Sequence, residues 1–260
     1  MILAVVASLL PAMGFGAVAA ACREARPKMQ GKTIVVTGGF GALGRVVAEV
    51  AAARGASVTI LDHAPGPPDG MAERLGPDAL MIGGLDLSSA DVATKAMDNV
   101  KAKFGRLDAL LNIAGGFQWE TVEGGKDDAW ERMYALNLMT ALNACRAALP
   151  YLIESGAGRI VNVGAQSALH AASGMGPYAA SKSAVHRLTE SLANELKEKG
   201  VTVNAVLPSI IDTPGNRREM PKADFDRWVA PADLAAVMLF LASDEGKAIT
   251  GALIPVTGRV

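Results

Sequence analysis

Thr33-Ile-Val-Val-Thr-Gly-Gly-Phe-Gly-Ala-Leu-Gly44 passes from an apolar, β-branched run through a glycine-rich turn into a helix-length segment, Ala42–Arg54. The apolar run reads as a strand buried on both faces. Glycine lets the chain turn sharply and approach a ligand closely. The first turn of the following helix offers free N–H groups at the positive end of its dipole, which suits a pyrophosphate. A glycine cluster alone is often only a tight turn, but the flanking strand and helix make this one a nucleotide-binding unit. Its candidate contacts are Gly38, Phe40, Gly41, Leu43 and Gly44.

The next strand, Ser57–Leu61, ends at Asp62, 18 residues after Gly44. A carboxylate there can accept hydrogen bonds from both hydroxyls of an adenosine ribose and repels a 2′-phosphate, so NAD is favoured over NADP. A solvated turn aspartate is the plainer alternative. Downstream, Leu80–Ile82, Ala109–Asn112, Arg159–Val163 and Val201–Val206 read as further buried strands, and Ala252–Val256 as an edge strand. Helix-length segments Ser89–Phe104, Asp128–Glu154, Gly176–Lys199 and Pro231–Ala242 alternate with them. The alternation predicts right-handed crossovers and a parallel sheet covered on both sides: a single doubly wound (Rossmann) α/β domain over residues 29–260. Asp212–Phe225, with two prolines, Gly215 and several charges, reads as a mobile loop or short helix over a site.

Composition bounds the partners. In 260 residues, 25 Lys and Arg face 26 Asp and Glu, a net charge of −1 that gives no reason to expect nucleic acid or an anionic membrane. The two cysteines, Cys22 and Cys145, form no disulfide framework and have no metal-ligand spacing, so no metal site and a reducing, cytoplasmic setting are expected. Residues 1–21 carry no charged side chain and precede the charged stretch Arg23–Lys28. Residues 1–28 read as an upstream extension, a signal or a membrane anchor. Pro11, Gly14 and Gly16 weaken a spanning helix, and no Lys or Arg precedes the apolar part as a secretory signal would require.

Tyr178-Ala-Ala-Ser-Lys182 carries the second chemical signal. Residues four apart in a helix share a face, one turn from each other. A phenol beside a fixed ammonium is expected to have its pKa lowered, giving a proton donor and acceptor usable near neutral pH. Two ordinary helix residues are the bland alternative, which the upstream nucleotide unit displaces. His186, a turn beyond Lys182, reads as a packed, hydrogen-bonded histidine, and His63 and His170 as surface histidines near adenosine and substrate. Trp119, Trp130 and Trp228 read mainly as packing. Arg217 and Arg218 could meet an anionic substrate or simply be solvated.

Together these motifs resemble the short-chain dehydrogenase/reductase family from about Gly31 to the C-terminus. Thr37-Gly38 through Gly44 is similar to its turn motif, with Ala42 where the middle glycine usually stands. Asp86-Leu87 matches an adenine-contacting pair. Leu111-Asn-Ile-Ala-Gly115 matches a strand end that places Asn112, Ala114 and Gly115 at the cofactor. Asn137 matches the asparagine that holds a water behind the catalytic lysine. Pro208-Ser-Ile-Ile-Asp-Thr213 matches a nicotinamide-binding segment, giving Pro208, Ile211 and Thr213. The resemblance implies hydride transfer between NAD(H) and a small carbonyl or alcohol. Tyr178, Lys182 and Asn137 would be the catalytic residues, in a homodimer or homotetramer built on the two long helices.

One departure stands out. The family usually has a serine 13 residues before the tyrosine, and here that position is Ala165. Ser167 could take the role after a loop shift; otherwise a hydrogen-bond donor is missing, which in ordinary carbonyl chemistry costs roughly 3 kcal/mol. Ala165, Gln166, Ser167 and Phe117 are the candidate substrate neighbours. Ala165, Gly115-Gly116-Phe117 and the 207–228 segment resemble a quinonoid dihydropteridine reductase-like branch, implying a conjugated, pterin-like ring as substrate. A non-catalytic NAD(P)-sensing protein on the same fold is the alternative.

Overall fold

All five residues of strand β1 (Thr33–Thr37) are buried, as expected of a strand packed on both faces. The computed structural model describes residues 29–260, and the expectations for residues 1–28 lie outside them. After β1 come α1 (Ala42–Ala53), β2 (Ser57–Leu61), α2 (Met71–Leu75), β3 (Leu80–Ile82), α3 (Ala90–Phe104) and β4 (Ala109–Asn112). The second half holds α4 (Asp127–Met133), α5 (Thr140–Glu154), β5 (Arg159–Val163), α6 (Gly176–Leu196), β6 (Thr202–Pro208), α7 (Pro214–Glu219), α8 (Pro231–Leu241) and β7 (Leu253–Val256).

The strands form one parallel sheet in the order β3-β2-β1-β4-β5-β6-β7. Successive side chains of a strand point to opposite faces, so each apolar strand serves two cores. Ile34, Val36, Leu111, Val161 and Val206 join α1 and α8 on one side. Val35, Leu110, Ile160 and Val203 join α3, α5 and α6 on the other. The chain order reverses between β1 and its two neighbours, β2 and β4, which opens a crevice at the carboxyl ends of the strands. Asp108 closes the opposite end: Thr33 N–H donates to its Oδ2 at 2.8 Å, and Arg106 grips both carboxylate oxygens.

The expected continuous helix over 128–154 is broken. A π-helical turn, Tyr134–Met139, separates α4 from α5 and contains Asn137. Helix α2 was not anticipated. The 212–225 segment holds the short helix expected as one of its two readings, with Thr213 Oγ1 capping α7 by accepting from Asn216 N at 3.2 Å. Arg217 pairs with Asp212 at 2.5 Å and stacks over the Phe225 ring, so it is engaged within the segment. Among the described residues no helix is long and apolar enough to cross a membrane, and no cluster could hold a metal ion.

Candidate functional site

A crevice of about 580 Å³ lies over the ends of β1, β2 and β4. Gly38, Phe40, Gly41, Leu43, Gly44, Asp62, His63, Asp86, Leu87, Ala114 and Gly115 all line it. Gly38 has a φ of +66°, and a Cβ there would sit 2.8 Å from the Ala114 backbone. A Cβ at Gly44 would collide with the Gly38 carbonyl. These glycines therefore let the turn fold back on itself and leave an open floor at the start of α1. That helix starts at Gly41 without a side-chain cap, so its first N–H groups could hold an anionic diphosphate. The residues present fit a dinucleotide.

Asp62 braces this floor. Its Oδ2 accepts the Phe40 N–H at 2.8 Å and its Oδ1 the Ala64 N–H at 2.9 Å. Each oxygen retains a further acceptor site, so the carboxylate is more than a solvated turn residue. Thr37, which opens the turn motif, accepts the N–H groups of Ile113 and Ala114 at 3.1 Å each and ties the two loops flanking the crevice. Asp86 is exposed, and hydrogen bonds from Ser88 hold its carboxyl below the usual range. Asn112 turns inward instead. Its amide donates to Asn162 Oδ1 at 2.9 Å and to Cys145 Sγ, so its side chain faces the core and is absent from the crevice lining.

At the Gly115 end the crevice meets α6. A Cβ on Gly115 would fall 2.5 Å from Asn137 Oδ1 and 3.3 Å from Lys182 Nζ. Asn137, 1% exposed, brackets Gly116: its Oδ1 accepts the Gly116 N–H at 3.0 Å, while its Nδ2 donates to the Gly116 carbonyl and to Ser181 Oγ. Ser181 in turn donates to the Tyr178 carbonyl at 2.7 Å. Lys182 is 5% exposed and donates to the Val163 carbonyl at 2.8 Å. Burial lowers its ammonium to about 8. The Phe117 ring meets the Tyr178 ring edge-on, with centroids 5.0 Å apart. Tyr178 brings a phenol able to exchange a proton, one helical turn from Lys182 on α6.

The phenol departs from expectation. Burial pushes it up to about 12, because the charged form is penalised where it is poorly solvated. Lys182 points its ammonium at Val163, and the expected lowering of the tyrosine is not found. Ala165 is buried just beyond the end of β5, and Gln166 and Ser167 are half-buried on the short 3-10 turn Gln166–Ala168. Pro208 ends β6, Ile211 bridges to Val229 and Thr213 caps α7; none of these three lines the crevice. Trp228 packs as expected, but Trp119 is 59% exposed, with its indole N–H on the Ser173 carbonyl at 3.0 Å. Trp130 is also exposed.

Residues 32–224 match the family model for short chain dehydrogenase. A 3-oxoacyl-[acyl-carrier-protein] reductase of Thermotoga maritima is 30% identical over 89% of this chain and 98% of its own. A meso-2,3-butanediol dehydrogenase of Serratia marcescens is 34% identical over 89% and 95%. The solved structure of a short-chain type dehydrogenase/reductase from Mycobacterium ulcerans superimposes with a TM-score of 0.84 at 28% identity, covering 89% of this chain and 90% of that one. By sequence and fold alike, the chain belongs to the short-chain dehydrogenase/reductase family of oxidoreductases.

Proposed function

We propose that this protein transfers hydride between NAD(H) and a small carbonyl or alcohol, or a conjugated, pterin-like ring, with Tyr178 exchanging the proton. The observation that carries this reading is the junction at Gly115, where the crevice abuts Lys182 and Asn137. The family works with NAD(H) or NADP(H). Asp62 supports NAD(H), since a fixed carboxylate accepts from ribose hydroxyls and repels a 2′-phosphate.

When bound, the nicotinamide supplies or accepts the hydride. The chain's own residues do the rest. Gly38, Phe40, Gly41, Leu43 and Gly44 would hold the diphosphate, Asp62 the adenosine ribose, and Asp86 and Leu87 the adenine. Ala114 and Gly115 would contribute backbone, while Asn112, Pro208, Ile211 and Thr213 lie outside the crevice lining and would meet only a part of the cofactor that extends beyond it. Tyr178, with its pKa near 12, is protonated before the step and so is suited to donate to a substrate oxygen or nitrogen. Lys182 is cationic below about 8 and would orient the nicotinamide ribose. Asn137 fixes Gly116 and Ser181, and Ser181 in turn holds the backbone carbonyl of Tyr178.

Phe117 against Tyr178, and the exposed Trp119, favour a flat, largely apolar substrate. Ala165 offers no hydroxyl to polarise a simple ketone, which favours a ring that delocalises its own charge and leaves Gln166 and Ser167 as neighbouring donors. The two relatives' names point to 3-oxoacyl and diol substrates, so plain carbonyls belong in the test. Ala165 also favours a second reading, an NAD(P)-sensing protein without turnover. NADH and NADPH oxidation against quinonoid pterin, diketones, quinones and ketones separates the two. Tyr178→Phe should cut turnover by at least about a hundredfold while NADH binding stays within about twofold. Wild-type turnover in that variant would refute the role.

A further inference from the structure

We infer that His186 is a positioning residue that holds the segment Gly164–Gln166, which carries the candidate substrate neighbours, in place through the backbone of Ala165. The inference rests on the oxidoreductase reading and deepens it. The observation behind it is a transfer of hydrogen bonding at the end of β5. Up to Gly164 the strand is held by the sheet, with the Gly164 N–H donating to the Val206 carbonyl at 2.9 Å. The next N–H, that of Ala165, points the other way and donates to His186 Nε2 at 3.3 Å. The sheet thus hands the chain to α6.

Lys182 and His186, one helical turn apart, clasp this segment on both sides of Gly164: the ammonium takes the Val163 carbonyl and the imidazole takes the Ala165 N–H. Gly164 makes the clasp possible, since a Cβ there would strike His186 Nε2 and approach its Cδ2 to 2.7 Å. Farther along, Ser183 donates to the Ala168 carbonyl at 2.8 Å and secures the end of the turn that carries Gln166 and Ser167. His186 is 1% exposed, so an apolar replacement would strand the Ala165 N–H without water or partner. Burial, and then the charges of Arg187 and Lys182, keep the ring neutral and Nε2 an acceptor.

The clasp matters because the usual serine is absent at 165. Any donor reaching the substrate from this wall must come from Gln166, Ser167 or the backbone, and all three hang from the Ala165 anchor. A displacement on the order of 1 Å there can cost about a hundredfold in rate. The test compares His186→Leu with His186→Gln, whose amide oxygen can accept the same N–H. His186→Leu is expected to lower kcat by about tenfold or more and to speed amide exchange at Ala165, with NADH binding unchanged within about twofold. His186→Gln should restore most of both. Wild-type kcat and exchange in His186→Leu, or equal losses in both variants, overturn the inference. Should His186→Leu fail to fold, His186→Asn replaces it, its shorter amide falling short of the nitrogen; the same outcomes decide. Tyr178→Phe measured alongside keeps the two readings apart. An inactive Tyr178→Phe with an unimpaired His186→Leu sinks this inference alone, and a fully active Tyr178→Phe sinks the oxidoreductase reading itself.

Discussion

His186 and Lys182 occupy one face of α6, each nearly sealed from solvent, and burial moves both toward their neutral forms. For His186, desolvation comes first and the charges of Arg187 and Lys182 add to it, lowering the imidazole from 6.5 to about 4. Between those values the unfolded chain binds a proton that the folded chain does not. Its contribution to stability is therefore full above the unfolded value and is lost as the pH falls toward the folded one. The window corresponds to roughly 3 kcal/mol at most. We expect the urea midpoint of the wild type to drop further between about pH 7 and about pH 4.5 than that of His186→Gln, which has no group titrating there. Parallel profiles would show that this imidazole does not set acid stability. The packed histidine was legible from its place in an apolar helix face. The direction of the Tyr178 shift was not, because spacing along a helix reports which residues are neighbours and says nothing about how deeply they are buried.

At the scale of elements, caps and turns decide what periodicity leaves open. The stretch from Asp128 to Glu154 reads as one helix, since apolar spacing alone does not mark the π turn at Tyr134–Met139 that separates α4 from α5. The turn nevertheless presents Asn137 to Gly116 and Ser181, and such turns often lie at functional sites. The 212–225 segment, which reads as a mobile loop or a short helix, takes the second form, with Thr213 at the helix start. Asn216 reinforces the start by donating its side-chain amide to the Ile211 carbonyl at 2.7 Å. Thr213→Ala removes the cap acceptor and should weaken α7 by about 1 kcal/mol, near the middle of the range for such caps. Amide exchange over residues 216–219 should quicken by about fivefold while β6 and α8 keep their protection. Unchanged exchange in α7 would mean that the Arg217–Asp212 pair and the Phe225 stack hold the segment without the cap.

For the whole molecule, the reversal of strand order and the burial of both sheet faces were legible because β1, β4, β5 and β6 are apolar without alternation. The inward turn of Asn112 was not, since it depends on Asn162 and Cys145, from distant parts of the chain, converging on it. The same convergence couples the two cores. Leu110 and Leu111 are adjacent on β4 and fully buried, one in the core that contains Cys145 and the other across the sheet. Replacing either with alanine removes packing worth about 2–5 kcal/mol. If the cores unfold together, Leu111→Ala must expose Cys145 as readily as Leu110→Ala, although it is on the far face. Cys145 is suited to report this: it is wholly buried, and burial pushes its thiol up to about 12, so a thiol reagent reaches it only when the domain opens. In a Cys22→Ser background, both variants should label at least about thirtyfold faster than the parent, the factor that about 2 kcal/mol of lost stability implies. If Leu110→Ala speeds labelling and Leu111→Ala does not, the two faces open separately, and a sheet shared by both cores does not make the domain one cooperative unit.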